Sequence, residues 1–154
     1  KAVEIRASIL RSGMGGGEGV KPVAQQAAEA AYEAAGLGPE DLHVVELHDA
    51  AAPAELILYE QLGLVKDGSE SRALLASGRT AIGGDLPVNP SGGLMTKGHP
   101  IGATGCAQLV ELADQLRGKA GDRQREGAKV ALAENGGGWI GDDAASAVVT
   151  ILSI

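Results

Sequence analysis

Residues 98 to 105 read Gly-His-Pro-Ile-Gly-Ala-Thr-Gly, and Leu109 and Leu112 follow at helical spacing. The pattern predicts a helix over residues 101–117 that begins with small residues. Nothing bulky shields its free amides or the positive end of its dipole, so this helix start can face an anion or an oxyanion. The same dipole disfavours a charged imidazolium at His99. His99 is therefore a candidate base or hydrogen-bond donor, with a helix-capping loop as the alternative.

A second polar segment, Glu46-Leu47-His48-Asp49, ends a short apolar run. The run predicts a buried strand over residues 44–47, and strand ends that lead into helices are where α/β proteins place ligand groups. His48 is therefore a second candidate catalytic residue. Asp49 fits a simpler role as the N-cap of the next helix, because aspartate is a favoured N-cap residue.

The third segment is Glu134-Asn135-Gly136-Gly137-Gly138, which follows a predicted strand over residues 129–133. Glycine lets backbone amides approach a ligand closely, and amides without flanking side chains form oxyanion holes. The same glycines also predict a hairpin turn between the last two strands. The two interpretations are compatible.

The predicted elements alternate between strands and helices. In chain order they are a strand over 3–10, a helix over 22–35 ended by Gly36, a strand over 44–47, a helix over 53–63, a loop-rich stretch over 66–100, a helix over 101–117, and strands over 129–133 and 145–152. In the first strand the apolar positions alternate at Ile5, Ala7 and Ile9. This order predicts a layered α/β domain with a mixed sheet whose last two strands are antiparallel.

Composition narrows the possible partners. The formal net charge of −7 and the absence of a basic run argue against nucleic acid as a partner. No apolar stretch approaches the roughly 20 residues that a membrane span needs. Three histidines and one cysteine at wide spacing form no metal-binding signature. A single cysteine, Cys106, makes no bridge within the chain, so the cytoplasm is the expected compartment.

These motifs resemble, in the same order, those of the thiolase family. Residues 98–105 are similar to the thiolase segment G-H-P-x-G-A-T/S-G, and residues 89–93 to the segment that leads into it. His48-Asp49-Ala50-Ala51 resembles the H-D-C-F motif of sterol-carrier-protein-type thiolases. Thiolases consist of two similar halves, and this chain resembles the second. The resemblance implies layered helices around a mixed five-stranded sheet over residues 1–154, with the amino-terminal half missing.

The resemblance also implies roles for individual residues. His99 is similar to the histidine that activates the nucleophilic cysteine of the first half and helps to hold the thioester oxygen. His48 matches the histidine that replaces the oxyanion-hole asparagine of ordinary thiolases. Gly136 matches the glycine whose amide helps to form a second oxyanion hole. The residues of the same segments that we assign to substrate binding are Asn89, Gly92, Gly98 and Asn135.

The chain departs from the family pattern at the acid/base cysteine. That cysteine lies in either of two motifs, whose positions are held here by Ala50 and Glu134. Glu134 is therefore a candidate acid/base, if burial raises its pKa. Its alternative role is to pair with a cation or an amide and hold the turn. Cys106 falls inside a predicted helix, and we expect it to be a packing residue.

The resemblance implies an acyltransferase of the thiolase type, acting on a β-ketoacyl coenzyme A thioester as substrate with no covalently bound cofactor. One alternative is retro-aldol cleavage of a β-hydroxyacyl coenzyme A, such as a sterol side chain. Another is a non-catalytic carrier of acyl-coenzyme A or lipid. The expected partners are the amino-terminal thiolase half, a second copy in a homodimer and a small OB-fold, zinc-ribbon protein.

Overall fold

Four strands form one mixed sheet in the computed structural model, which describes residues 1–154. Their bounds are Glu4–Ser12 for β1, Val44–Glu46 for β2, Val130–Gly137 for β3 and Ser146–Ser153 for β4. The order across the sheet is β1-β4-β3-β2, with β2 parallel to β3 and β4 antiparallel to both of its neighbours. The layered α/β class is confirmed, whereas the predicted five strands are wrong.

The place of a fifth strand, beside β2, is held by residues 87–89, which make only an isolated parallel bridge to Val45. The amide of Val45 donates to the carbonyl of Pro87 at 3.0 Å, and its carbonyl accepts from the amide of Asn89 at 2.8 Å. Pro87 lacks the amide hydrogen that would extend the ladder towards His43, and on the other side the amide of Leu47 donates to the side chain of Asn89. Pairing therefore stops after one bridge.

Five α-helices accompany the sheet: α1 Val23–Ala35, α2 Ala52–Gln61, α3 Ser71–Ala76, α4 Gly93–Lys97 and α5 Thr104–Arg117. α1 ends at Gly36, as predicted, with the left-handed φ of 67° typical of such a cap. The stretch predicted to be loop-rich contains α3 and α4. α5 begins three residues later than predicted, after a turn in which Pro100 accepts the amide of Ala103. None of the helices combines the length and apolar character that crossing a bilayer requires.

One face of the sheet is covered by α1 and α2. The buried residues of α1 are Val23 and five alanines, Ala24, Ala27, Ala28, Ala31 and Ala35. They belong to one apolar cluster with sheet residues such as Val149 and Ile151. Because alanine is short, this helix can lie close to the strands, and a core with few aromatics can still be dense.

The other face is covered only in part. Leu112 and Leu116 of α5 pack in a cluster with Val44, Ala131, Ala133 and Leu152, over β2, β3 and the end of β4. Over β1 the same face stays open: Ile5 is 64% exposed and Leu10 is 61% exposed. A register shift between Ile5 and Ala7 turns Ile5 onto this open face. The predicted alternation is therefore wrong at Ile5, although Ala7 and Ile9 do face the α1 cluster.

Candidate active site

The chain that leaves β2 holds the loop carrying His99 through two buried carboxylates. Glu46 accepts hydrogen bonds from the amide and the hydroxyl of Ser91, at 3.0 and 2.7 Å. Asp49 accepts from the amides of Leu94 at 2.7 Å and Met95 at 3.3 Å. Both carboxylates are almost inaccessible to solvent. Residues 91–95 are therefore fixed to the end of β2 by charge-assisted bonds.

Asp49 does not cap α2, so the simpler role predicted for it is wrong. It accepts hydrogen bonds from amides in the first turn of α4. α4 lies against the end of β2. A side chain at Gly93 would collide with the Asp49 carboxylate, and Gly93 also has a φ of 62°. Glycine at this position is what allows the close approach.

His48 and His99 come together from segments that lie about fifty residues apart. Their rings meet edge to face, with centroids 4.8 Å apart and an interplanar angle of 85°. Burial, and then the nearby His99, lower the pKa of His48, against an opposing effect of Asp49. His48 is therefore neutral around pH 7. The two imidazoles lie side by side, while their catalytic roles stay predictions.

A bond to Thr104 defines the tautomer of His99. Nδ1 of His99 lies 2.8 Å from the hydroxyl of Thr104, and that hydroxyl donates to the carbonyl of Pro100 at 3.2 Å. The hydroxyl has only one hydrogen, so when it donates to Pro100 it accepts from His99, and we infer the tautomer with the proton on Nδ1. Nε2 is left with a free lone pair, which is the form that a general base needs.

Glu134 lies in the middle of β3 and not at the end of the strand, because β3 continues to Gly137. Its side chain is fully buried, and Oε2 accepts the amide of His48 at 3.0 Å. Burial raises the pKa of Glu134 to about 7, although the bond from His48 acts in the opposite direction. A carboxyl group with this pKa can both release and take up a proton near neutral pH.

The amide of Gly136 faces the side of β3 on which β2 has already ended. Ile154 donates its amide to the carbonyl of Lys129 at 3.1 Å, and the register with β4 is continuous to Gly137. In an antiparallel pair the bonded residues alternate, so the odd-numbered residues of β3 bond to β4. Gly136 therefore directs its amide away from β4, towards the chain that continues β2. This orientation fits the predicted oxyanion hole.

Asn89 replaces a missing strand neighbour. Its side-chain oxygen accepts the amide of Leu47 at 2.7 Å, next to His48, and it is the only non-glycine residue with a positive φ, 50°. Its Nδ2 is buried without a partner. Gly92 and Gly98 are the two caps of α4. The structure gives these three residues a part in shaping the loop, and substrate binding by them stays a prediction.

Asn135 belongs to a network that the sequence did not reveal. Its Nδ2 donates to Gln108 at 3.1 Å, and Gln108 donates to the carbonyl of Glu134 at 2.9 Å. Gln108 is completely buried on the inner face of α5, four residues before Leu112. A polar residue at an apolar position of the helical stripe is the signal that could have identified it. The network fixes the start of α5, and therefore Thr104, to β3.

Cys106 is exposed, so the expectation that it packs in the core is wrong. The buried positions at the start of α5 are Thr104 and Gln108, and Cys106 lies on a different side of the helix. A surface pocket of about 780 Å³ lies away from His48 and His99, at the opposite end of β2 and β3. It is lined by residues such as Leu42 and Val130.

The family described as thiolase C-terminal domain-like matches residues 18–153. The chain belongs to this family. Sterol carrier protein 2 of Rattus norvegicus is 53% identical over 113 residues, which cover 73% of this chain and 20% of the relative. An acetyl-CoA acetyltransferase of Methanothermobacter thermautotrophicus is 49% identical over 112 residues, covering 73% of this chain and 29% of the relative. The predicted resemblance to thiolases, including the sterol-carrier-protein type, is confirmed.

Two further comparisons define how far the likeness extends. The benzoylsuccinyl-CoA thiolase subunit BbsB of Thauera aromatica is 38% identical over 134 residues, which cover 82% of this chain and 34% of that subunit. A solved structure named Ltp2-ChsH2(DUF35) aldolase matches 98% of this chain and 39% of its own length, with a TM-score of 0.81 and 23% identity, and so supports the fold. The chain spans about a fifth to a third of the length of these curated relatives.

Thr104→Val should release the His99 ring. Valine keeps the shape but cannot accept the Nδ1 hydrogen, so we expect a mixture of tautomers, visible in the imidazole nitrogen shifts of a 15N-labelled protein. Thr104→Ser retains the hydroxyl and is the matched control, with nitrogen shifts like those of the wild type. A single Nδ1-protonated tautomer in the valine variant would contradict the assignment.

Glu134→Gln should change how stability depends on pH. The pKa of Glu134 rises on folding from 4.5 to about 7, so the folded state holds the proton more tightly. Its contribution is present in full below about pH 4.5 and is lost as pH rises through 7. Relative to the wild type, the glutamine variant should therefore gain up to about 3 kcal/mol of unfolding free energy between pH 4 and pH 8.

Urea unfolding across this pH range measures the difference between the two proteins. Glu18→Gln, which changes an exposed carboxylate, is the control and should follow the wild-type pH dependence. Parallel wild-type and Glu134→Gln curves would show that Glu134 titrates normally in the folded protein.

Proposed function

We propose that this chain is the carboxy-terminal part of an enzyme that makes or breaks a carbon–carbon bond next to a coenzyme A thioester, by β-ketoacyl transfer. The observation that carries the proposal is the convergence of two imidazoles, His48 and His99, with the buried carboxyl group of Glu134. The names of two relatives, an acetyl-CoA acetyltransferase and a benzoylsuccinyl-CoA thiolase subunit, support a coenzyme A thioester as the substrate.

In this scheme His99 acts first as a base. Its Nε2 takes the proton of a cysteine thiol that the amino-terminal half supplies, and the thiolate attacks the keto carbonyl carbon. The bond between Cα and Cβ then breaks, and its electron pair becomes the enolate of the departing thioester. Protonated His99 and neutral His48 donate hydrogen bonds to that enolate oxygen, in the manner of an oxyanion hole. Gly136 serves the second oxyanion, on the attacked carbonyl.

Glu134 completes the cycle as the acid/base in place of a cysteine. Its carboxyl group delivers a proton to Cα of the enolate, and its carboxylate then takes the proton of the thiol of free coenzyme A. The coenzyme A sulfur attacks the acyl-cysteine and forms the new thioester, while the cysteine thiolate leaves and recovers its proton from His99. In the reverse direction the Glu134 carboxylate removes the proton from Cα. A pKa of about 7 makes both forms available near neutral pH. A structural role, in which Glu134 only accepts the His48 amide, is the competing interpretation.

Retro-aldol cleavage is the second candidate, favoured by the lack of a thiol at both acid/base positions, Ala50 and Glu134. The Glu134 carboxylate would take the proton of a β-hydroxyl group, and a carbonyl would form as the bond between Cα and Cβ breaks. The resulting enolate would be held by the same histidines and protonated at Cα. No covalent intermediate and no nucleophile from the other half are then needed.

The open face over β1 supports the proposed partner. The exposed side chains of Ile5 and Leu10 lie on the sheet face that α5 covers only over β2, β3 and the end of β4. We assign this face to the amino-terminal thiolase half. A homodimer and an OB-fold, zinc-ribbon partner remain part of the proposal, as does the cytoplasm as compartment.

Glu134→Gln and His99→Ala in the complete enzyme test the chemistry. Loss of a positioned base or an oxyanion donor should lower kcat by roughly 10²-fold or more. Glu134→Gln should also remove the limb of the pH–rate profile near pH 7 that reports Glu134. The substrates are a β-ketoacyl coenzyme A with free coenzyme A and, in parallel, a β-hydroxyacyl coenzyme A.

Each result leads to one conclusion. Unchanged rate and pH profile in Glu134→Gln would make Glu134 structural, and unchanged rate in His99→Ala would remove His99 from the mechanism. Cleavage of the hydroxyacyl substrate alone would establish the aldolase. Binding of both substrates without turnover of either would establish a carrier.

A further inference from the structure

Ser91 connects Glu46, the last residue of β2, with Lys97, which precedes Gly98 and His99. Besides its two bonds to Glu46, its hydroxyl accepts a hydrogen bond from Nζ of Lys97 at 2.5 Å. The ammonium group also lies 3.7 Å from Oε2 of Glu46. Glu46 is inaccessible to solvent, whereas the Lys97 side chain is 29% exposed. A buried carboxylate, a hydroxyl and an ammonium group therefore form one connected unit.

Only Gly98 separates this unit from His99. Gly98 has a φ of 83°, and no atom lies within 4 Å of the place where a side chain would be. The amide of Gly98 donates to the carbonyl of Leu94 at 3.0 Å, but no side-chain packing fixes the backbone beyond that bond, where glycine has wide conformational freedom. His99 itself is exposed. Its position depends on anchors on the two sides of the loop, which are Thr104 after it and Lys97 before it.

The charges around Glu46 favour its contacts with Ser91 and Lys97. Burial raises the pKa of Glu46, and the two bonds from Ser91 and the charge of Lys97 act against it. Glu111 of α5 also faces Glu46 and raises its pKa, while Arg123 pairs with Glu111 at 2.8 Å and also interacts with Glu46. Lys97 is therefore the cation that lies directly against the Glu46 carboxylate. Removing it, or the hydroxyl that links it, leaves a buried carboxylate short of partners.

We propose that Ser91 and Lys97 are positioning residues for His99: they tie the loop before His99 to the buried Glu46, and so hold its ring against His48. Neither residue touches the reacting atoms. The consequence for turnover rests on the proposed function, whereas the effect on the position of the ring does not. The two parts can therefore be tested separately.

Ser91→Ala and Lys97→Met should separate the two rings. In the 15N-labelled full-length protein we expect loss of the nuclear Overhauser effect between the His48 and His99 ring protons, and broadened His99 resonances. Ser91→Thr keeps a hydroxyl and should retain the ring contact. Lys119→Met removes a cation from an exposed site at the far end of α5 and is the matched control. Retention of the ring contact in both Ser91→Ala and Lys97→Met, with unchanged His99 resonances, would overturn the proposal.

Kinetics of the complete enzyme provide the second readout. Misplacement of the base should lower kcat roughly 10- to 100-fold in Ser91→Ala and Lys97→Met, with KM changed less than about twofold. A rise in KM at constant kcat would overturn the positioning role, because it would show that Lys97 binds substrate directly. Loss of the ring contact with unchanged kcat would leave the positioning role intact and remove His99 from the proposed mechanism. Should Ser91→Ala fail to fold, Lys97→Met and Ser91→Thr still decide the question.

Discussion

Three buried carboxylates hold the segments of the candidate site together. Glu46, Asp49 and Glu134 each accept a backbone amide from a distant part of the chain: those of Ser91, Leu94 and His48, respectively. Burying a carboxylate is costly unless hydrogen bonds compensate it, so the bonds and the fold depend on each other. The position of His48, the start of α4 and the path of the His99 loop all follow from these bonds. If one of these segments moved, its carboxylate would lose hydrogen bonds while still buried. The cost of that loss favours this arrangement over the alternatives.

The sheet explains why these bonds are needed. β2 has three residues, and the neighbouring residues 87–89 pair with it only once, between two prolines. Beyond Glu46, strand pairing no longer satisfies the backbone, and side chains take its place. Asn89 accepts the amide of Leu47 and Glu134 accepts that of His48. Buried backbone amides require such partners. The early end of β2 thus creates both the opening beside Gly136 and the demand for polar side chains that surround it.

Much of the fold followed from patterns that act over short distances. The strands, the long helices and the cap at Gly36 could be predicted because periodicity and capping are local properties. Ile5 could not be placed, because its orientation depends on a register shift against β4. Asp49 was given the nearer of two helices, since sequence cannot show that α4 folds back onto the end of β2. The three polar segments of the site were recognised, but Ser91, Thr104 and Gln108 were missed, because each acts through a partner in another element.

Burial sets the charge states of two groups in the site. Burial lowers the pKa of His48 and raises that of Glu134, so both groups shift towards their neutral forms. A negative charge developing between these groups would meet oriented N–H donors, which is the preorganisation that stabilises such a species. As that charge forms it also favours the protonated carboxyl of Glu134, since a nearby negative charge raises the pKa of an acid. The proton that Cα would need would thus be present on Glu134 when the carbanion forms.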